Sequence, residues 1–538
     1  MNVFVRRLLR FSRWALDGER PDQPGHLWPR WIFLRALGLI FASAFYSLLF
    51  QINGLVGPQG ILPADRYLKA LSQHFGASRY WYAPTLLWIG NGSGALHVLC
   101  WAGLIASVLL FLNLWPRASV AVCVVTYLSF VAAAQDFSSY QSDGMLLAAG
   151  FLTLFFAPPG LLPGLGERHP PSRASLFLLL WLWFRIYFES GVAKIAGGDP
   201  EWRHLTALYD YYSNGPLPNW IGWYAQHLPH GFNAAVALIT LLIELGLVWL
   251  LFFPRRFRIA CFFIVTPFQL GIIVTANLAF LNHLVLSLGF LLLDDRFLRF
   301  VFVRRRPATQ AAQPRHGVPG FLARWWTSPQ NHEPAPAPSR GAPAPGGAIA
   351  RAFRPISRVI TGVLLGWVFY DTLALLLLML FPLLPLPRSP IEALEPYRLA
   401  NQYGLFAVMT RARYEIEFQG SRDGKAWIAY PFRYKPQDPA RRPGFYAPYQ
   451  PRFDWNLWFA TLGTWQQYPF VVRTEALLLL NDSSVLSLFA GNPFDGSPPS
   501  EVRAVMWRYW FASLATKRTT GLWWRRKLVG LYAPALER

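Results

Sequence analysis

Residues 174–197 read ASLFLLLWLWFRIYFESGVAKIAG, and this stretch decides the fold class. A helix needs about 20 apolar residues to cross a bilayer, and this run meets that requirement. Runs of comparable length recur at 31–52, 94–114, 117–135, 144–162, 231–253, 257–276 and 359–384. A shorter run at 278–293 is either one more tightly connected helix or a re-entrant segment. The pattern predicts an α-helical polytopic membrane domain with about eight to nine spans.

The composition of the chain supports a membrane protein. Of its 538 residues 54% are hydrophobic and 14% are charged, whereas soluble proteins carry about a quarter charged residues. The charge that remains is strongly positive, with 50 Lys and Arg against 28 Asp and Glu. In a membrane protein this excess is typical of basic cytoplasmic loops and of segments that lie against anionic lipid. We therefore expect the bilayer as a partner and no nucleic acid.

The distribution of arginine predicts the orientation of the chain. Six arginines precede the first span, and eleven lie in 296–358 with Glu333 as the one acid there. If 278–293 counts as a full span, the basic segments share one side, which the positive-inside rule makes cytoplasmic. The outer side then carries the loops 53–93, 136–143 and 198–230, together with everything after about residue 385.

Composition shifts divide the chain into five parts. Residues 307–350 are rich in Pro, Ala, Gly and Arg and lack any apolar period, which is typical of a disordered linker. We predict a basic cytoplasmic N-terminal segment (1–30), a helical membrane domain (31–295), a basic disordered cytoplasmic linker (296–357), a last transmembrane helix (358–385) and an exported-side β-rich domain (386–538).

The region after the last span has the pattern of a separate soluble module. Residues 414–418 alternate polar and apolar, as a half-buried strand does. The turn 421–425 follows with its Asp-Gly pair. Return-strand segments are predicted at 427–430 and 432–434, a further strand at 502–507, and helices at 455–461 and 473–490. We expect a β-rich soluble C-terminal domain with helical insertions, whose Trp, Tyr and Arg side chains form a binding surface, its own core or an interfacial belt against the membrane.

Placing a charged group inside a membrane span costs free energy, so each such group is expected to have a partner or a function. Arg185 and Glu189 are four residues apart, so they can pair on one helical face. Lys194 lies beyond that pair, near the outer end of the span. Two interpretations remain open for Lys194: its ammonium snorkels to the interface, or it serves as a base beside a lipid-facing cavity.

The outer loops add further polar candidates. If loops 135–144 and 197–203 meet, Asp136, Asp143, Lys194, Asp199 and Arg203 gather around one pocket. Glu244 and His283 are lone polar residues in apolar runs, and we interpret both as interhelical hydrogen-bonding groups. Arg35, near the inner end of the first span, is expected to snorkel.

Several kinds of site are not predicted. The three cysteines show no metal-ligand spacing, and no nucleotide-binding, zinc-protease or serine-hydrolase motif is present. We predict neither a metal nor a cofactor.

Phrases spread along the chain resemble lipase maturation factors. They are FLRALGLI (33–40), GILPA (60–64), YQSDGMLL (140–147), SGVAK (190–194), WRHLTAL (202–208), NQYGLFAVMT (401–410), RRP (441–443), PYQPRFDW (448–455) and NPF (492–494). The resemblance runs from about residue 30 to the C-terminus, with the Pro/Ala linker unmatched. Animal members of that family reside in the endoplasmic-reticulum membrane and assist folding and assembly of secreted dimeric lipases. Their C-terminal domain is thought to face the lumen and to engage the client.

A more distant resemblance concerns one span. Tyr187-Phe188, Gly191 and Lys194, followed by an acidic-Trp turn, are similar to the membrane domain of vitamin K-dependent γ-carboxylase. In that enzyme a lysine at the position of Lys194 acts as the base on the quinol. Ala193 departs from the pattern, which favours a second lysine there. The glutamate-substrate machinery is not recognisable in this chain.

Two functions follow from these resemblances. The first is a non-enzymatic maturation or folding factor for exported clients such as lipases, and its candidate client- or pocket-binding residues are Asp136, Gln141, Trp202, Arg203, Asp454 and Trp455. The alternative is a membrane enzyme with Lys194 as base and with Asp143 and Asp199 orienting it toward a quinone-like or lipid substrate. A transporter is disfavoured because the spans show no inverted repeat. The expected location is the inner membrane in a bacterium or the endoplasmic-reticulum membrane in a eukaryote.

Overall fold

The computed structural model describes residues 15–16, 18, 25–302 and 348–538. Nearly all of the predicted basic N-terminal segment before residue 25, and linker residues 303–347, lie outside the described residues. Residues 296–302 and 348–357, which also belong to the predicted disordered linker, are helical. Below, the helical region means residues 25–302, and the C-terminal region means residues 386–538.

Within the described residues, six helices are long and apolar enough to cross a membrane. They are α1 (Leu27–Leu49), α2 (Ser93–Phe111), α5 (Arg173–Ala196), α6 (His230–Leu245, continued by a 3-10 turn at Leu247–Phe252), α7 (Arg255–Thr275) and α9 (Ala348–Leu380). Shorter apolar helices are α3 (Pro116–Val131), α4 (Gln141–Phe156) and α8 (Leu281–Gly289, extended to Leu292). The predicted helical character is confirmed.

Helix α5, which contains the opening stretch, lies at the centre of the helical region. Its most apolar window is 78% buried, against 22% for α7. Helices α4, α6, α8 and α9 all pack against it. Its first turn is capped by Ser172, whose side chain accepts a hydrogen bond from the Ser175 N–H, and it ends at Gly197. The three charged side chains in its second half, Arg185, Glu189 and Lys194, are buried.

Short helices connect the long ones. They are Ile52–Val56, Ala64–Phe75, Arg79–Tyr82, Pro200–Arg203, Tyr211–Asn214, Trp220–Gln226 and Asp295–Phe302. Apart from Asp295–Phe302, these helices lie in the two long connections that the arginine pattern places on the outer side. Ser389–Leu394 follows α9 and is the first helix of the C-terminal region.

The C-terminal region is built on a small antiparallel sheet. Its strands are β1 (Arg413–Ser421), β2 (Trp427–Ala429), β3 (Glu501–Phe511), β4 (Trp524–Leu531) and β5 (Leu536–Glu537). The order is β2-β1-β3-β4, and β5 also pairs with β3. Helices α10 (Arg452–Ala460) and α11 (Phe470–Leu479) and the shorter Ser483–Leu486 and Leu514–Thr520 complete it.

Most of the predicted local structure of this region is confirmed. The strands predicted at 414–418 and 502–507 are present and longer than predicted. In the 421–425 turn the Asp423 carboxylate accepts from the Lys425 N–H at 2.9 Å, and Gly424 has a φ of 68°. The segment 432–434 is not a strand, and β4 and β5 were not predicted. The C-terminal region is also not separate, because α10 packs against the 135–138 turn and Ser483–Leu486 packs against Ile52–Val56.

Candidate functional site at the junction of the two regions

Residues 401–409, called the junction segment below, lie across the ends of α4 and α5. The side-chain amide of Asn401 donates to the carbonyl oxygen of Gly144 at 3.2 Å. The Gly404 N–H donates to the Gln141 side-chain oxygen at 3.3 Å. Gln141, a predicted binding residue, therefore holds the backbone of the junction segment.

The Arg185–Glu189 pair also holds this segment. The Arg185 Nε lies 2.6 Å from Glu189 Oε1, and both side chains are at most 1% exposed. The other Glu189 oxygen accepts from the Tyr403 N–H at 2.8 Å, and Arg185 Nη2 donates to the Asn401 carbonyl. The predicted helical pair is confirmed. Each charge gains additional hydrogen bonds from the C-terminal region, as a buried ion pair requires.

Lys194 neither snorkels nor stands free. It is 3% exposed, and its ammonium donates to both carboxylate oxygens of Glu244, at 2.9 and 2.8 Å. A third bond reaches the Leu405 carbonyl at 2.9 Å, so all three donors are used. Of the two interpretations, snorkelling is wrong, because the ammonium is buried against a carboxylate on α6 that lies 50 residues away in the chain. The interpretation as a base stays a prediction. The interpretation of Glu244 as an interhelical hydrogen-bonding group is confirmed.

The turn after α5 binds the rest of the junction segment. The Trp202 indole N–H donates to the Phe406 carbonyl at 2.9 Å, and its ring lies 5.1 Å from the Lys194 nitrogen. Asp199 accepts from the Met409 N–H at 2.6 Å and also caps the helix that begins at Pro200. Arg203 differs from these residues, because its guanidinium donates to the Ile195 carbonyl at 2.8 Å at an exposed position.

A second ionic contact joins α4 to α10. The Arg452 guanidinium donates one hydrogen bond to each oxygen of Asp143, both at 2.8 Å. The Tyr127 hydroxyl donates to Asp143 at 2.6 Å and accepts from Arg452 at 2.9 Å. Both charged side chains are at most 1% exposed. Two parallel N–H···O bonds give this pair geometric specificity as well as strength.

The remaining candidates surround this contact. Asn456 donates to the Asp136 carbonyl at 3.2 Å and accepts from the Tyr140 hydroxyl at 2.8 Å. Burial raises the pKa of the half-buried Asp136 carboxyl. The Trp455 ring meets Tyr140 edge-on at 5.6 Å between centroids.

Asp454 lies on the other side of α10. It is 2% exposed and accepts from the Lys435 N–H at 3.2 Å. Burial raises its pKa to about 7, although the Lys435 ammonium lowers it.

The outer polar residues are thus divided between two contacts. The cavity that Lys194 lines includes none of Asp136, Asp143, Asp199 or Arg203 in its wall. Asp143 instead faces Arg452, while Lys194 and Asp199 bind the junction segment. Arg35 is also more enclosed than the snorkelling prediction implied, since it is 8% exposed and stacks on Trp31 at 4.4 Å.

Sequence reasoning missed Arg452 as a functional residue. It lies inside the phrase PYQPRFDW, from which Asp454 and Trp455 were chosen. The available signal was the carboxylate of Asp143 at the start of an apolar helix, which needs a cation. Nothing in the local pattern shows that this cation comes from more than 300 residues later.

The fold and this junction define a class: a polytopic helical membrane protein with a β-containing C-terminal domain bound to the ends of its helices. The model of the lipase maturation factor transmembrane domain matches residues 28–300, and that of the lipase maturation factor C-terminal domain matches 399–534. The chain therefore belongs to the lipase maturation factor family.

Relatives match almost the full chain. Lipase maturation factor 1 of Bos taurus is 33% identical over 96% of this chain and 90% of its own length. The Homo sapiens proteins named lipase maturation factor 1 and 2 are 32% and 31% identical, each over 95% of this chain. The two matches cover 88% and 82% of the lengths of those proteins. No solved structure matches the chain. These relatives give no support to the carboxylase-like alternative.

Proposed function

We propose that the protein is a membrane-bound maturation factor that assists folding or assembly of exported client proteins such as lipases. The observation that carries the proposal is the junction itself. Phrases typical of the family, including 140–147, 190–194, 401–410 and 448–455, supply both sides of several of its contacts. Their role is to fix the C-terminal region to the helical region, so that a client is held at a constant place relative to the bilayer.

The proposed topology puts the C-terminal region on the exported side. If the three shorter apolar helices also cross, the described residues contain nine spans, and the segment before α1 and the C-terminal region lie on opposite faces. The eleven arginines of 296–358 then face the cytoplasm. The membrane is that of the endoplasmic reticulum in a eukaryotic cell and the inner membrane in a bacterial cell.

We assign client contact to the β4 edge of the sheet. β4 pairs with β3 on one side, and no described strand pairs with its other side. Leu528, Val529 and Leu531 on this strand are 49%, 57% and 61% exposed. Open strand edges with exposed apolar side chains bind extended segments of other chains, as an incompletely folded client presents.

Many of the aromatic residues have structural partners instead. The Arg503 guanidinium stacks on Trp427 at 3.8 Å, and Arg526 stacks on Trp507 at 4.2 Å. Trp223 and Trp524 are fully buried. The client surface is therefore smaller than the aromatic content suggests.

The test is client maturation in cells that lack the endogenous factor. Full-length protein with Val529→Asp should give less active secreted lipase and less lipase captured with the factor. The matched control is Ile428→Asp on the opposite edge strand β2, where Ile428 is 50% exposed. Equal lipase yield from both variants would reject the β4 surface, and full yield after deletion of 386–538 would reject the proposed function.

A further inference from the structure

A large apolar cavity lies next to the junction, and the Lys194–Glu244 pair forms part of its wall. Its volume is about 830 Å³, within the range of ligand sites in proteins. Helices α5, α6, α7 and α8 and the helix Trp220–Gln226 form its walls, and Leu405 and Phe406 of the junction segment cover one part of it. The lining is mostly apolar, so the site suits a hydrophobic ligand.

The cavity is bordered by surface that faces lipid. Ile239 and Leu242 on α6 and Ile264 on α7 line it, and they are also 48%, 55% and 41% exposed. Both helices are candidate membrane spans. Exposed apolar residues on a span contact acyl chains, so a bilayer lipid can reach the cavity sideways.

One end of the cavity carries an oriented chain of polar side chains. The Tyr187 hydroxyl donates to Gln269 Oε1 at 2.7 Å, and Gln269 Nε2 donates to Asn282 Oδ1 at 2.7 Å. Gln269 Nε2 also donates to the backbone carbonyl of Asn282 at 3.2 Å. Because a carbonyl oxygen only accepts, this bond fixes the orientation of the Gln269 amide and, through it, that of Asn282. Asn282 is 6% exposed, and its Nδ2 has no hydrogen-bond partner within the described part of the chain. A buried donor of this kind is costly unless an acceptor reaches it.

The charges at the cavity are already balanced. Lys194 and Glu244 line it as a pair, and all three ammonium donors have acceptors. The cavity therefore offers no free cation for a phosphate headgroup. What it offers is apolar volume lined at one end by Asn282, whose buried Nδ2 has no partner within the described residues.

We propose that this cavity binds an uncharged acyl lipid of the diacylglycerol type, whose ester carbonyl accepts a hydrogen bond from Asn282 Nδ2. The acyl chains occupy the apolar part between α6 and α7. The site is a binding site, and no chemical step on the lipid is part of it. It is independent of any client, because its residues belong to the helical region and the junction segment.

The experiment uses the purified full chain in nanodiscs and dioleoylglycerol that carries a photoreactive diazirine on one acyl chain. After illumination, labelled peptides are identified by mass spectrometry. Labelling should map to α6, α7 and α8, and unlabelled dioleoylglycerol should compete, whereas dioleoylphosphatidylglycerol should compete much less. Absence of labelling in these helices, or equal competition by the anionic lipid, would overturn the proposal.

Two variants test the residues. Asn282→Leu should reduce labelling roughly two- to tenfold, the change expected from loss of one neutral hydrogen bond. Ile239→Trp should reduce it by filling the cavity, whereas Leu238→Trp should not. Leu238 is the matched control because it is 45% exposed on the same helix and does not line the cavity. Each variant is first checked for monodisperse elution. Equal labelling in Ile239→Trp and Leu238→Trp would contradict the site.

Discussion

Arg452 in the C-terminal region and Asp143 in the helical region form two parallel hydrogen bonds of 2.8 Å, with both side chains buried. This contact ties α10 to the first turn of α4. Each region supplies the counter-ion of a charge that is buried in the other, and without that counter-ion the charge would have neither a partner nor water to solvate it.

Arg452→Ala is expected to separate the two regions. The change leaves the Asp143 carboxylate buried without its cation, and removal of one partner of a buried pair costs about 3–5 kcal/mol. The purified variant should unfold at a lower temperature and be cleaved faster by protease between α9 and β1. Arg203→Ala serves as control, because Arg203 is exposed and makes one hydrogen bond to a backbone carbonyl. Unchanged protease resistance of Arg452→Ala would show that the pair does not hold the regions together.

A double variant separates structural from chemical roles of Lys194. Lys194→Met alone should lower the unfolding temperature and the yield of matured client, because it leaves the Glu244 carboxylate unpaired. Lys194→Met combined with Glu244→Met should restore both, since hydrophobic replacement of a buried pair is often neutral. A double variant that is stable yet inactive in client maturation would instead establish a chemical role for the ammonium.

Glu475 on α11 is expected to make stability depend on pH. It is 0% exposed, and burial raises its pKa from 4.5 to about 8. Folding then favours the protonated acid, so its contribution is complete below pH 4.5 and is lost as the pH rises through about 8.

Glu475→Gln should remove this dependence. The comparison is the unfolding temperature of wild type minus that of Glu475→Gln across this pH range, which cancels the similar effect of Asp454. A difference that stays constant with pH would mean that Glu475 is ionised in the folded protein.

Gly54 provides a steric test of the junction. A Cβ added there would lie 2.6 Å from the Ser484 carbonyl oxygen, which belongs to the backbone of the C-terminal region. Gly54→Ala should therefore destabilise the contact by about 1–3 kcal/mol, as overpacking does. Gly94→Ala is the control, because a Cβ at this helical glycine meets nothing within 4 Å. Faster proteolysis of Gly54→Ala than of Gly94→Ala is the expected result, and equal rates would contradict it.

Interactions within one element were predictable from sequence, and those between distant elements were not. The spacing of Arg185 and Glu189 is a property of any helix, so their pair could be named in advance. The alternation of 414–418 likewise predicted β1. Strand β4 was missed because WRRKLVGL (524–531) does not alternate: Arg525, Lys527, Leu528 and Val529 are all exposed.

The ion pairs at the junction join residues that are far apart in the sequence. Lys194 and Glu244 are separated by 50 residues, and Arg452 and Asp143 by 309. Each residue by itself indicated a need for compensation, but neither composition nor periodicity carries the identity of a partner on another element. The burial of Lys194 stayed open for the same reason, since a snorkelling lysine and a paired lysine have the same local sequence.

The separation of Asp143 from Arg452 in the sequence also determines how long synthesis takes to get from one residue to the other. Ribosomes add about 5–20 residues per second. The chain between these two residues, 309 positions long, therefore takes roughly 15–60 s to synthesise. During that interval the helical region enters the membrane with a carboxylate whose cation has not yet been made. Each newly made molecule thus passes through an unfinished stage that ends only when Arg452 has been made.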